Sequence, residues 1–292
     1  MLLLAACGRL GFDTDGSDGT SDAGQVDAAP GGPDAAGVVH NLAFVSSMTY
    51  LPDLGGAQAA DVACRGLAIE AGLSGTFVAL LADGRRGALD ALAGSRGWTD
   101  VAGTPIADLP TDWVDGRMIN PLRLDEAGQA APSESWIGDA NNHCLDWTSA
   151  QVGDVGRHAP SAHVVQQGTG ASCNQAMAFI CVELGDATPL DVPVETGRIA
   201  FVTASAWPGG SGIAGADAQC AAEASTAGLP GSYLAWLSTS AFAGFDRFDP
   251  AGAPWRRVDG VRLTATAAEF AAQTPGSTLR TFLNRTASGD AV

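Results

Sequence analysis

The chain has no lysine. Arginine supplies all 15 of its strong positive charges, against 32 aspartates and glutamates, for a net charge of −17. Arg85-Arg86 and Arg256-Arg257 are its only basic pairs. Nucleic acid and heparin need clustered cations to neutralise phosphate or sulfate, so neither is expected as a main partner. There is no Cys-x-x-Cys pair, which argues against a zinc ribbon. There is no His-Glu-x-x-His and no Gly-x-Ser-x-Gly, the usual settings for a metalloprotease zinc or a serine nucleophile. No apolar run is long enough to span a bilayer. Aromatics make up only 7% while glycine and alanine abound, so the cores are expected to be small and loop-rich.

What is present is a repeat. Phe44-Val45-Ser46-Ser47, Ala60-Asp61-Val62-Ala63-Cys64 and Ala71-Gly72-Leu73-Ser74-Gly75-Thr76-Phe77 return as Phe201-Val202-Thr203-Ala204, Ala216-Asp217-Ala218-Gln219-Cys220 and Ala227-Gly228-Leu229-Pro230-Gly231-Ser232-Tyr233. A cysteine-bearing unit repeated in one chain sets the domain boundaries. The first copy spans residues 41–184 and continues to Cys144, Cys173 and Cys181. The second, 198–292 after a linker at 185–197, matches only from Ile199 to about Phe270 and is read as incomplete. A longer reading frame is expected to restore its ending, and Cys220 has no obvious partner.

The N-terminus reads Leu4-Ala5-Ala6-Cys7, which resembles a bacterial lipobox. Residues 1–7 are therefore read as a lipoprotein signal peptide with Cys7 as the lipidated residue. The positively charged segment that normally precedes the apolar run is missing, as a start codon placed too far downstream would explain. Residues 8–40 are poor in apolar side chains and carry Asp13, Asp15, Asp18, Asp22, Asp27 and Asp34. Like charge without apolar surface to bury predicts a disordered acidic tether. Export favours disulfides, and Cys64, Cys144, Cys173 and Cys181 allow three pairings between which spacing does not choose.

Within one unit, Leu42 to Ser46 reads as a buried strand. Ala57 to Ala71 reads as a helix carrying Cys64, stopped by Gly72. Phe77 to Leu81 is a second strand, Arg86 to Ala93 a second helix, and Met177 to Val182 the closing strand. Between about Gly94 and Gly170 lies a long irregular stretch with Trp98, Trp113, Trp136 and Trp147. The fold class is α+β, stapled by disulfides.

Asp61-Val62-Ala63-Cys64, Asp115-Gly116-Arg117-Met118-Ile119-Asn120-Pro121, Trp136-Ile137-Gly138, Cys144-Leu145-Asp146-Trp147 and Phe179-Ile180-Cys181 follow in order through the first unit. In these motifs the chain resembles the endostatin-like branch of the C-type lectin-like fold, in particular bacterial surface lipoproteins such as the leptospiral endostatin-like proteins. The resemblance implies nested bridges, Cys64 to Cys181 and Cys144 to Cys173. It also implies a non-catalytic, adhesin-like binding domain at the bacterial outer membrane or cell surface, with an extracellular protein or glycan as partner and a lipid anchor in the membrane. A structural envelope protein without a dedicated ligand is the alternative, and an exported hydrolase a more distant one. The scaffold hosts many unrelated functions, so the ligands known for the family are not carried over.

Asp139, Asn141, Asn142 and Asp146 place four oxygen-bearing side chains beside Cys144. Calcium uses such loops, although a solvated turn with Asx hydrogen bonds is the plainer reading. Calcium is the single cofactor considered, and no resident metal is expected. His143, His158 and His163 lack a zinc-like spacing, and His40 alone does not reproduce the zinc site of endostatin. Ser135, Ser161 and Ser172 with His143 or His158 are the only hydrolase candidates, and no motif supports them. No catalytic residue is assigned. Trp98 and Trp113 are the candidate ligand-binding aromatics, Trp136 and Trp147 the core ones. The loops 98–120 and 139–170 are the expected binding surface.

Overall fold

The computed structural model describes residues 6–10, 40–115, 117–162, 168–271 and 279–292. It is a mixed α+β structure, mostly sheet with few helices, and it carries three disulfides.

The first unit is built around β9 (Ala178–Leu184). Along one edge β9 pairs antiparallel with β2 (Asn41–Val45), placing Cys181 opposite Phe44. Its other edge is shared by β3 (Thr76–Ala79), antiparallel, and β6 (Glu134–Trp136), parallel. β4 (Trp98–Asp100) and β5 (Pro105–Ala107) extend the sheet beyond β2. β7 (Val155–Pro160) and β8 (Thr169–Ser172) extend it beyond β6. Strand period two explains why the Ala178–Val182 run is continuously apolar. Ala178, Ile180 and Val182 face one core with Leu80, Trp98, Trp113 and Ile137. Phe179 and Cys181 face another, with Phe44, Phe77, Trp136 and Trp147.

Helix α1 (Ala57–Glu70) covers the second core, burying Ala57, Ala60, Asp61, Cys64, Leu67 and Ala68. The spacing i, i+3, i+4, i+7 puts these on one face. Asp61 is the polar member. Its Oδ1 accepts the Ala79 amide at 2.9 Å, and its Oδ2 lies 3.4 Å from Arg86 Nη1. The second unit repeats the device: Asp217 accepts the Ala235 amide at 2.9 Å and pairs with Arg247 at 2.6 Å. The aspartate of the Asp-x-x-Cys motif therefore ties a helix to a strand, where an unmet buried amide would cost about 1–3 kcal/mol.

Two expectations for the first unit are corrected. Arg86 to Ala93 forms no α-helix, only a 3-10 turn over Ala88–Leu92 with the Asp90 carboxylate accepting the Gly87 amide. The segment is too short to repay helix nucleation. The middle of the unit is not irregular throughout, since β4 to β8 lie in it. Three of these strands have only three residues, too few to show a period.

The second unit repeats the plan with β10 (Arg198–Val202), α2 (Gly212–Thr226), β11 (Ser232–Ala235) and β12 (Trp255–Arg256). The likeness runs past Phe270. The Val45 amide donates to the Leu124 carbonyl ahead of a bridge from Leu124 to Ala130. Likewise the Val202 amide donates to Arg285 ahead of a bridge from Arg285 to Ala291. The segments just before these two hairpins pack on each other: Arg285 donates to the Arg117 carbonyl at 2.8 Å, and Thr281 to that of Ile119.

The closing strand of the second unit is β1 (Ala6–Leu10). It lies between β10 and β11, antiparallel to both. Cys7 sits opposite Phe201 and Ala235, as Cys181 sits opposite Phe44 and Ala79 in the first unit. The residues read as the end of a signal peptide thus occupy the place of β9.

Candidate functional site

Cys64 is bonded to Cys181, Cys144 to Cys173, and Cys7 to Cys220. The last bridge corrects two expectations. Cys220 has a partner, and Cys7, 1% exposed, has its sulfur in a disulfide. A thioether to lipid needs the same sulfur, so lipidation at Cys7 belongs only to a form of the chain without this bridge. Among the described residues no helix is long and apolar enough to cross a membrane.

The Cys144–Cys173 bridge holds an unusual turn. Cys144, Leu145, Asp146 and Trp147 all have positive φ, from 48° to 61°. The left-handed region costs a non-glycine residue roughly 1–2 kcal/mol, so four in succession must be held from outside. The disulfide holds one end. At the other, the Trp147 carbonyl accepts the amides of Leu54, Gly55 and Gly56 at 3.0–3.1 Å, while Trp147 Nε1 donates to the Ala82 carbonyl at 2.9 Å. The turn anchors Trp147 inside and leaves the Leu145 side chain 62% exposed.

Leu145 stands at the rim of a cleft of about 570 Å³. Its walls are this turn, the start of α1 at Gly55, Gly56 and Gln58, and the loop Asp83, Arg85, Arg86. The Asp83 carboxylate accepts the Arg85 and Arg86 amides at 2.8 Å, which fixes that loop. Asp146 Oδ1 accepts the Gly84 amide at 2.9 Å and ties the loop to the turn. His143 Nδ1 accepts the Asp146 amide at 2.7 Å, so this atom carries no proton toward the Asp146 carboxylate 3.1 Å away. Arg86 is held through Nη1 by Asp61, while its Nε and Nη2 are buried without a hydrogen-bond partner. The α1 start has no acidic residue in its first turn and no side-chain cap, so its N–H groups add positive potential. The cleft is thus polar, richer in donors than in acceptors on the Arg86 side, and edged by one apolar side chain.

Of the expected site residues, Asp146 alone lines this cleft. Trp98 and Trp113, expected as ligand-binding, are corrected to core residues. They are 0% and 1% exposed, belong to the core that holds Leu80 and Ile180, and meet edge to face at 5.9 Å. Asp139 accepts the Asn141 and Asn142 amides at 2.8 Å, the Asn142 side chain at 3.1 Å and Arg157 at 3.0 Å. Its oxygens are therefore committed, and a calcium ion would have to displace a guanidinium. Asp139 and Asp146 also serve different partners, so the four-oxygen calcium cluster does not assemble. Among the described residues no group of three or more His, Cys, Asp or Glu is placed to hold a metal. Asn141 and Asn142 belong to the Asp139 turn. Ser135 and Ser161 bond each other at 2.7 Å, Ser172 donates to the Val152 carbonyl, and His158 bonds Glu134 and Thr169. The serine–histidine pairs do not meet. His163 lies outside the described residues.

Sequence reasoning missed Leu145, Arg85, Arg86 and the Gly55-Gly56 rim. The available signal was the Arg85-Arg86 pair in a chain poor in cations, noted only as too small for a polyanion.

Burial opposes ionisation of Asp139, yet the Asn141 and Asn142 hydrogen bonds and Arg157 hold its pKa down to about 2. A depressed carboxylate stabilises the fold fully above its unfolded value of about 4, and that contribution drains as pH falls from there toward 2. Arg157→Ala is expected to move the Asp139 titration upward, read by NMR. An unchanged titration would show that Arg157 does not hold it.

Comparison with known proteins gives no matching family model and no matching curated protein.

Proposed function

We propose that the chain is an exported, non-catalytic binding protein whose first unit, an endostatin-like domain of the C-type lectin-like class, engages an extracellular protein or glycan through the cleft beside Leu145. The observation that carries this reading is the left-handed turn at 144–147. Backbone held in a sparsely populated region concentrates at functional sites, and here a disulfide fixes it while an exposed leucine is presented at a cleft that Arg85 and Arg86 also line. An apolar anchor edged by donors suits a ligand with a hydrocarbon face and carboxyl or hydroxyl oxygens. The nested bridges of the first unit and the central Phe179-Ile180-Cys181 strand support the endostatin-like assignment. Three bridges using six cysteines support an oxidising compartment outside the cytoplasm.

The test is an array of glycans and matrix proteins probed with the oxidised full chain, with calcium and with chelator. Saturable binding that survives chelation is expected, since the Asp139 oxygens are committed to Arg157. Leu145→Asp and Arg85→Glu, both at exposed positions, should each weaken binding tenfold or more with little change in melting temperature, as charged or polar disruption of a contact centre costs about 2 kcal/mol. Binding indifferent to both substitutions would remove the cleft from consideration. No binding by the folded protein would favour the structural envelope role.

A further inference from the structure

We propose that the slot between β10 and β11 is an acceptor for the N-terminal strand of a second copy of this chain, so that the second unit closes between copies as well as within one.

The slot is defined by what fills it. Ala6, Cys7 and Gly8 pair with Val202, Phe201 and Ala200 on one side, and Cys7 and Gly8 with Ala235 and Leu234 on the other. Among the described residues of 198–292 no strand lies between β10 and β11. The strand that fills the slot comes from outside that range, and an unfilled slot would leave two sheet edges ready to pair with another chain. Strand addition of this kind draws affinity from the main chain and specificity from alternate side chains.

The specificity here is narrow. Cys7 meets Cys220. A Cβ added at Gly8 would stand 2.8 Å from the Trp255 ring and 3.0 Å from Phe248. The first unit has Cys181-Val182 at the equivalent places, so its closing strand does not fit the second slot. A Cys-Gly strand does, and the chain has one such strand, its own β1. The occupant is accordingly β1, whichever copy it comes from.

Delivery is the second argument. β1 joins the first unit only through residues 11–39, which reach at most about 100 Å when extended. Its strand pairing is confined to β10 and β11. A strand joined to its neighbour by so long a connection is an element that domain swapping can exchange. Filling from the same chain wins at low concentration, because tethering raises the effective concentration of the strand. Filling from a second copy gains as protein concentration rises, and oxidation of Cys7 to Cys220 then fixes whichever arrangement formed. Two thiols lose two protons and two electrons to the oxidant of the refolding buffer, glutathione disulfide; one protein S–S bond forms, the glutathione S–S bond breaks, and two glutathione thiols are released.

The experiment mixes unlabelled and nitrogen-15-labelled full chains in equal amounts. They are reduced, refolded in a glutathione buffer at several concentrations and digested without reduction. Closure within one chain yields Cys7–Cys220 peptides of a single isotope. Exchange yields mixed-isotope peptides, expected to rise toward the statistical limit with concentration and to vanish on dilution. Absence of mixed peptides at every concentration overturns the proposal, as does absence of any Cys7–Cys220 peptide. A second mixture uses labelled chains carrying Gly8→Val. Peptides with labelled Cys7 and unlabelled Cys220 should then be lost, whereas their persistence would mean random thiol collision and overturn the slot.

Discussion

Replacing Cys64 and Cys181 together with alanine is expected to cost about 4–5 kcal/mol of stability, because the bridge closes a loop of 117 residues in the unfolded chain. For a protein of this size that is a fall in melting temperature of roughly 10–20 °C. The position makes the full effect plausible in native-state terms too. Both cysteines are 0% exposed, and the bridge fixes α1 to the central strand of the sheet. The Cys144–Cys173 bridge spans 29 residues, and on the same argument its removal costs about 3–4 kcal/mol. It should differ in kind as well: the left-handed turn at 144–147 loses one of its two restraints, so ligand binding should fail before the fold does. Urea unfolding of the two double variants measures both. A loss below about 1 kcal/mol for the first would mean that the bridge does not constrain the unfolded chain as the loop-entropy argument requires.

Gly138→Ala is expected to destabilise the first unit by about 2–5 kcal/mol. Two costs add. Gly138 has φ +65°, a region that costs an alanine roughly 1–2 kcal/mol. The new Cβ would also lie 2.3 Å from the Ala82 carbonyl and 2.7 Å from the Trp147 ring, an overpacking that costs about 1–3 kcal/mol. That carbonyl accepts Trp147 Nε1, and the Ala82 amide donates to Ile137, so the substitution pushes apart the contacts that seat the turn below the cleft. Gly72→Ala separates the two costs. Gly72 has φ +75° with nothing within 4 Å of an added Cβ, so it reports the backbone part alone. Thermal melts of the pair should show Gly138→Ala clearly worse. Equal effects would mean that the Trp147 contact yields without cost.

Much of the first unit is legible in the chain. The Ala178–Val182 run has no polar residue, which fits a strand buried on both faces, and the apolar spacing from Ala57 to Leu67 followed by Gly72 fits a helix of the observed length. The short strands were not legible, because a three-residue strand such as Glu134–Trp136 shows no period and exists through its neighbours β7 and β9. Trp98 and Trp113 read as candidate ligand-binding aromatics for a related reason: local polarity around them is high, the pairing of β4 with β2 and β5 sets the place of Trp98, and Trp113 packs against it. The oxygen-rich loop at Asp139 read as a solvated Asx turn more readily than as a cation site, and Asp139 does accept the Asn141 and Asn142 amides. What the loop did not show is Arg157, 18 residues away, which pairs with that carboxylate.

The sequence by itself determined the class, the repeat and the charge. Local propensity, apolar periodicity and composition are properties of neighbouring residues, and they set the α+β character, the repeated motifs and the excess of negative charge. The resemblance already implied two of the bridges, Cys64 to Cys181 and Cys144 to Cys173; the tertiary structure alone decided the partner of Cys220, where the cleft lies and which strand sits between β10 and β11. Each depends on residues far apart in the chain, as with Cys7 and Cys220, separated by 213 positions. The short segment Ala6-Cys7-Gly8 shows no strand period of its own, and its place in a sheet depends on walls built some 200 residues later.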